Sequence, residues 1–169
     1  MAKGNAIIVT ADPCGVFKEG VIDATPNPGF IMELKPAVAP VSGRHTWRAR
    51  STTAGSKGGI WVLLGDKDQG KLSVGAIASF GMPAVGDAYV SGTRGFLYAP
   101  LMGDELNLVV KDVAGTADDV AIGDLFGVNA TGSITANAAY TSAPFQAMEV
   151  VTDPTANYLM WVLYLGNNA

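Results

Sequence analysis

Two stretches of this chain have residue types and spacings suited to chemistry, and neither completes it. Residues 65–72, GDKDQGKL, reproduce the Gly and Lys spacing of a phosphate-binding loop and follow an apolar run, IWVLL, at 60–64. Such a loop works because backbone N–H groups cradle the phosphate while a Ser or Thr after the Lys holds magnesium. Here position 72 is Leu, and Asp66 and Asp68 place negative charge where phosphate would sit. A polar hairpin loop is the expectation. The pairs Asp66/Asp68 and Asp118/Asp119 raise calcium, but a site needs about six to eight oxygens, and the rest of that ligand set is missing. Solvated turn charges are the expected role. Cys14 and His45 are the single cysteine and the single histidine. They could form a thiolate–imidazole pair, yet Cys14 lies in a Pro-Cys-Gly turn and no nucleophile signature surrounds either residue. Any two of the 15 acidic residues could meet in space, and nothing in the sequence favours a particular pair. The chain is therefore read as not an enzyme, with no catalytic residue, no metal and no cofactor.

The second stretch is the basic, aromatic cluster Arg44, His45, Trp47, Arg48 and Arg50. Arginines beside an aromatic ring can hold single-stranded nucleic acid, since bases stack on the ring while guanidinium neutralises phosphate. Alternation argues otherwise. In a strand over 45–50, His45, Trp47 and Ala49 share one face and Thr46, Arg48 and Arg50 the other, which turns the indole inward. An ordinary barrel strand remains open, and so does a protein contact, because Arg and Trp are favoured interface anchors. Arg44, Trp47, Arg48 and Arg50 are thus the candidates for subunit contacts. The net charge of −4 argues against sequence-independent nucleic-acid binding, which needs clustered cations.

The elements that must position these residues are short. The chain has 169 residues, 21 of them Gly and 9 Pro, and the Gly and Pro punctuate brief β-rich runs. That pattern predicts an all-β domain, a small barrel or sandwich of short strands. Strands are expected at 6–10, 16–22, 30–35, 45–50, 60–64, 96–99, 106–113, 125–128, 133–135, 145–151 and 158–165. Strong turns lie between them, as at TPNPG (25–29). Residues 72–80 are the best helix candidate, weakened by Gly75, Val74 and Ile77. Residues 1–28 read as an extended N-terminal arm or as the first strands, and 29–169 as the body of what is one domain overall. Residues 158–165 are apolar or aromatic on both faces, so this last strand belongs at the centre of the core or under a partner.

Only 15% of residues are charged against 49% apolar, where about a quarter charged is usual. Some surface is either covered by a partner or belongs to a compact Ala- and Gly-rich β domain. No segment reaches the roughly 18 apolar residues of a membrane span, and residues 1–13 lack a signal-peptide core. No membrane association is expected, and synthesis in the cytoplasm is.

Three segments resemble the head decoration, or cement, proteins of tailed bacteriophages. They are residues 6–37 (AIIVTADPCGVFKEGVIDATPNPGFIMELKPA), residues 86–134 (GDAYVSGTRGFLYAPLMGDELNLVVKDVAGTADDVAIGDLFGVNATGSI) and residues 143–166 (APFQAMEVVTDPTANYLMWVLYLG). The likeness is one of strand and turn patterns, closest in the middle segment, and residues 38–80 depart from it. The resemblance implies a structural protein of the virion, made in the host bacterial cytoplasm. It would bind the outer capsid surface and clamp neighbouring major capsid subunits against internal pressure. It implies the major capsid protein and further copies of the chain as partners, in a homotrimer or a dimer. Within that expectation the capsid contacts fall on the N-terminal arm, at Lys3, Asn5, Ile7, Val9 and Phe17, because an extended strand can add to a neighbour's sheet edge. Removing residues 1–12 would then cost capsid binding and leave the fold intact. A receptor- or carbohydrate-binding β module on a head or tail is the alternative, with the loop at 51–59 doing the recognising.

Overall fold

The computed structural model describes residues 6–10, 15–50, 59–65, 87–110, 119–129, 131–136, 144–152 and 158–166. All the regular elements among them are strands: β1 (Ile8–Thr10), β2 (Val16–Ile22), β3 (Ile31–Leu34), β4 (Thr46–Ala49), β5 (Trp61–Leu63), β6 (Arg94–Ala99), β7 (Glu105–Val109), β8 (Leu125–Val128), β9 (Ile134–Ala136), β10 (Phe145–Ala147) and β11 (Leu159–Tyr164). The all-β expectation holds, and the strands form two bodies. Five close into a barrel in the order β2-β4-β3-β5-β6, and six form a sheet in the order β1-β7-β11-β10-β8-β9. The helix candidate at 72–80 lies outside the described residues, as does most of the loop at 65–72.

Alternation sorts the barrel's side chains. Ile22, Met32, Trp47, Leu63 and Leu97, one from each strand, join Tyr89 in a single buried cluster inside the barrel. Ile31, Val62, Leu64, Phe96 and Tyr98 alternate outward and share a second core with the sheet residues Leu106, Leu108, Phe126, Phe145, Met160 and Val162. The barrel wall is thus buried on both sides where it meets the sheet. This is why residues 60–64 carry no polar face.

Two glycines make the barrel interior possible. Gly20 and Gly95 face each other across the β2–β6 ladder. A β-carbon at Gly20 would stand 2.6 Å from Nε1 of Trp47, and one at Gly95 2.7 Å from Cδ1 of Ile22 and 3.1 Å from the ring of Tyr89. The missing side chains are the space that the indole and the tyrosine ring fill.

The end of the TPNPG turn joins the two bodies. Gly29 has φ +88, donates its N–H to Leu63 of the barrel at 2.8 Å, and accepts from Val109 of the sheet at 3.2 Å. Its Cα lies so close to Leu159, Asn107 and Ile7 that a β-carbon would meet all three within 3.3 Å. The N-terminal segment is built into this junction. Asn107 donates its backbone N–H to the Ile7 carbonyl and its side-chain Nδ2 to the Ala6 carbonyl, each at 2.7 Å. Ile7 and Ile8 are 0% and 1% exposed, both in the core shared with the barrel. Residues 6–10 are therefore sheet and core, not a free arm, and deleting residues 1–12 would remove two fully buried isoleucines along with β1.

β11 lies between β7 and β10, central as expected. Its two faces differ, however. Met160, Val162 and Tyr164 are buried, while Leu159, Trp161 and Leu163 are half-buried. The strand expected at 145–151 stops at Ala147. There the Glu149 carboxylate accepts the Trp161 N–H at 2.7 Å, a side-chain acceptor in place of the ladder's carbonyl. The chain re-pairs at Val151, which bridges Val120. The far edge of the sheet curls back as well, since Ile134 of β9 forms a parallel bridge to Val110 just beyond β7.

The β6–β7 turn is held by Asp104, which is 3% exposed. Its Oδ2 accepts from the Tyr98 hydroxyl and from the Leu101 N–H at 2.7 Å. Its backbone carbonyl accepts the Tyr164 N–H at 2.8 Å. Tyr98→Phe is expected to destabilise the fold by about 1–3 kcal/mol, because a buried carboxylate oxygen loses a donor that water cannot replace. Urea denaturation with an unchanged m-value would measure it, and a loss under 0.5 kcal/mol would mean the turn does not need the hydroxyl.

Candidate interaction surface

The basic cluster is the one candidate site that lies wholly among the described residues, and two of its three arginines are matched by carboxylates. Trp47 is 6% exposed, its ring 5.4 Å from that of Trp61 inside the barrel. It is core, and as a subunit contact it is corrected. β4 places Arg48 on the outer face opposite Glu33 of β3. Both Nε and Nη2 of Arg48 lie 2.8 Å from Glu33 Oε1. The other oxygen, Oε2, is buried without a hydrogen-bond partner. Arg44 puts Nε 2.7 Å from Glu19 Oε1, the oxygen that Arg94 also approaches at 3.1 Å. Lys35 pairs with Asp23 at 2.8 Å. These pairs are partly solvated and each contributes roughly 0–1 kcal/mol. Their main effect is to form a belt of matched charge around β2, β3 and β4. Arg50 is half-buried, its backbone N–H given to the Ile31 carbonyl at 2.9 Å. The sequence showed the cations and the alternation. It could not show the carboxylates of β2 and β3 that meet them, because those pairings depend on barrel closure.

Of the N-terminal candidates, Lys3 and Asn5 lie outside the described residues. Ile7 is fully enclosed beneath Gly29 and is corrected to core. Val9 is 38% exposed next to a register shift in the β1–β7 pairing, so it remains on the surface. Phe17 is half-buried, its ring 5.0 Å from that of Tyr98.

Of Cys14, His45, Asp66, Asp68, Asp118 and Asp119, the structure describes His45 and Asp119. His45 is exposed, and its backbone carbonyl accepts the Val21 N–H at 3.0 Å. Asp119 is exposed. Cys14, Asp66, Asp68 and Asp118 lie outside the described residues. Among the described residues, no three His, Cys, Asp or Glu side chains are grouped to hold a metal ion.

No family model matches the chain, and no curated protein matches it. Among solved structures it is similar to the N base of the head fiber gp8.5 of bacteriophage phi29. The TM-score is 0.51, with 90% of this chain and 97% of that one covered, at 7% sequence identity. At that identity the likeness is one of fold.

Proposed function

We propose that this chain is a structural protein of a tailed-phage head, a decoration protein that binds the outer shell and clamps neighbouring major capsid subunits without catalysing a reaction. The observation that carries the reading is the fold shared over nearly the whole chain with the base of a phage head fiber. Two further facts support it. Residues 6–37, 86–134 and 143–166 resemble decoration proteins in their strand and turn patterns. The low charge, 15% of residues, also suits a protein that spends its life against other proteins. Under this reading the partners are the major capsid protein and further copies of the chain, in a homotrimer or a dimer.

Quantitative mass spectrometry of particles from the source of this chain tests the proposal. A copy number close to that of the major capsid protein is expected. A handful of copies per particle would assign the chain to a fibre or tail instead. Absence from particles would overturn the structural role and return the question to enzymes.

A further inference from the structure

Among the described residues, the inner-facing row of the barrel reaches solvent at the end where β2, β4 and β5 begin. Val16 and Lys18 continue the inward-facing row of Gly20 and Ile22, pairing with Ala99 and Leu97 across the β2–β6 ladder. Leu34 pairs with the inward-facing Trp47, and Trp61 pairs with the inward-facing Met32. At this end the row emerges into solvent. Val16 is 50% exposed and Leu34 48%, beside a half-buried Trp61. Two exposed aliphatic side chains and an indole, its ring 5.4 Å from that of Trp47, thus mark the mouth of the barrel at this end.

The β3–β4 connection leaves from the same rim. Residues 36–41, PAVAPV, are exposed at every position, and Val38 and Val41 are prominent among them. A run of six exposed apolar residues is rare unless something covers it. The run is also stiff. It holds two prolines and ends in a two-residue hairpin turn at Ser42 and Gly43, both with positive φ, closed by paired hydrogen bonds between Val41 and Arg44. A rigid apolar loop loses little entropy on docking.

Charge selects the occupant. The other rim cations, Lys35 and Arg44, are matched by Asp23 and Glu19. Lys18 is exposed and lies 5.0 Å from the centroid of the Trp61 ring, and among the described residues no carboxylate pairs with it. An unmatched ammonium over the Trp61 ring, on the same barrel end as the exposed Val16 and Leu34, complements an apolar side chain adjacent to a carboxylate.

We infer that the barrel mouth and its Pro-rich loop are the surface through which this chain grips the shell, taking from a capsid subunit an apolar segment that carries an acidic residue. This rests on the head-surface reading, and it moves the contact from the N-terminal strand to the opposite side of the barrel wall. The test uses heads produced without this chain and the purified full-length protein added back, with bound copies counted by mass spectrometry across a concentration series. Leu34→Asp and Lys18→Glu change exposed positions and are expected to weaken binding at least tenfold while thermal unfolding stays as in the unmodified protein. Ile122→Asp, an exposed turn residue of the six-stranded sheet, serves as the control and is expected to bind normally. Normal binding by both mouth variants would overturn the inference and leave the head reading standing. Failure of the unmodified protein to bind heads would overturn both. Self-association of the isolated protein that Leu34→Asp abolishes would give the mouth to a second copy and would also overturn the inference.

Discussion

A chain ending before Tyr158 is expected not to fold. The lost segment contains β11, which pairs over five positions with β7 and three with β10, so its removal splits the six-stranded sheet through the middle. Met160 and Val162 are 0% exposed and Tyr164 6%, all in the core shared with the barrel. Burying each such side chain contributes about 1.5–3 kcal/mol, and three of them rival the roughly 5–15 kcal/mol net stability of a whole domain. The backbone cost adds to this. Tyr164 accepts the Gly103 N–H at 2.9 Å and donates its own N–H to the Asp104 carbonyl at 2.8 Å, both in the β6–β7 turn, and Leu165 donates to Pro144 at 2.7 Å. All of these partners would be stranded. Circular dichroism and proton NMR of the truncated chain are expected to lack a cooperative thermal transition and dispersed amide signals. A soluble truncated chain with native dispersion would show that the barrel alone carries the fold.

The second large effect runs against intrinsic preference. Valine favours strands and glycine disfavours them, so propensity alone would have Gly20→Val stabilise β2. The expected result is a loss of about 3 kcal/mol or more, at the upper end for overpacked cores. The new β-carbon falls on the Trp47 indole, whose ring packs 5.4 Å from that of Trp61, and meets the His45 carbonyl oxygen at 3.2 Å. For a chain of this length that corresponds to a melting temperature lower by roughly 6–12 °C. A double-mutant cycle separates the cause from a general intolerance of the strand. Trp47→Leu opens the space, so the double variant should be less destabilised than the sum of the two singles by about 1 kcal/mol or more. Additive losses would place the strain elsewhere in β2.

Much of the fold was legible because alternation and turn residues are local signals. β8 falls on Leu125–Val128 as expected, β11 lies within one residue of 158–165, and residues 60–64 are buried on both sides. What failed to show was long-range. Nothing near Ile7 announces that Asn107, a hundred residues away, holds the Ala6 carbonyl, so the sequence left the segment open between an arm and the first strands. Nothing near Ala147 shows that Glu149 will take an acceptor's place on Trp161 and end β10. The arginine cluster was visible as a charge pattern, but its neutralisation by Glu19 and Glu33 needed the barrel to close. The exposed run at 36–41 was present as letters, and its meaning lay in the mouth that the barrel builds beside it.

The strand order carries a consequence for how the protein is made. The barrel strands β2 to β6 are consecutive in the chain, whereas the sheet pairs the first strand with the seventh and the seventh with the last. At ~5–20 residues per second, the barrel is complete on the ribosome several seconds before β11 exists. Until β7 follows, β1 has no partner, and until β11 joins β7 to β10 the outward-facing Ile31, Val62, Leu64, Phe96 and Tyr98 lack the complete sheet that covers them. The nascent chain therefore passes through a half-built state with an incompletely covered apolar wall. Its yield in the cell depends on how quickly translation delivers the final strands as much as on the stability of the finished molecule.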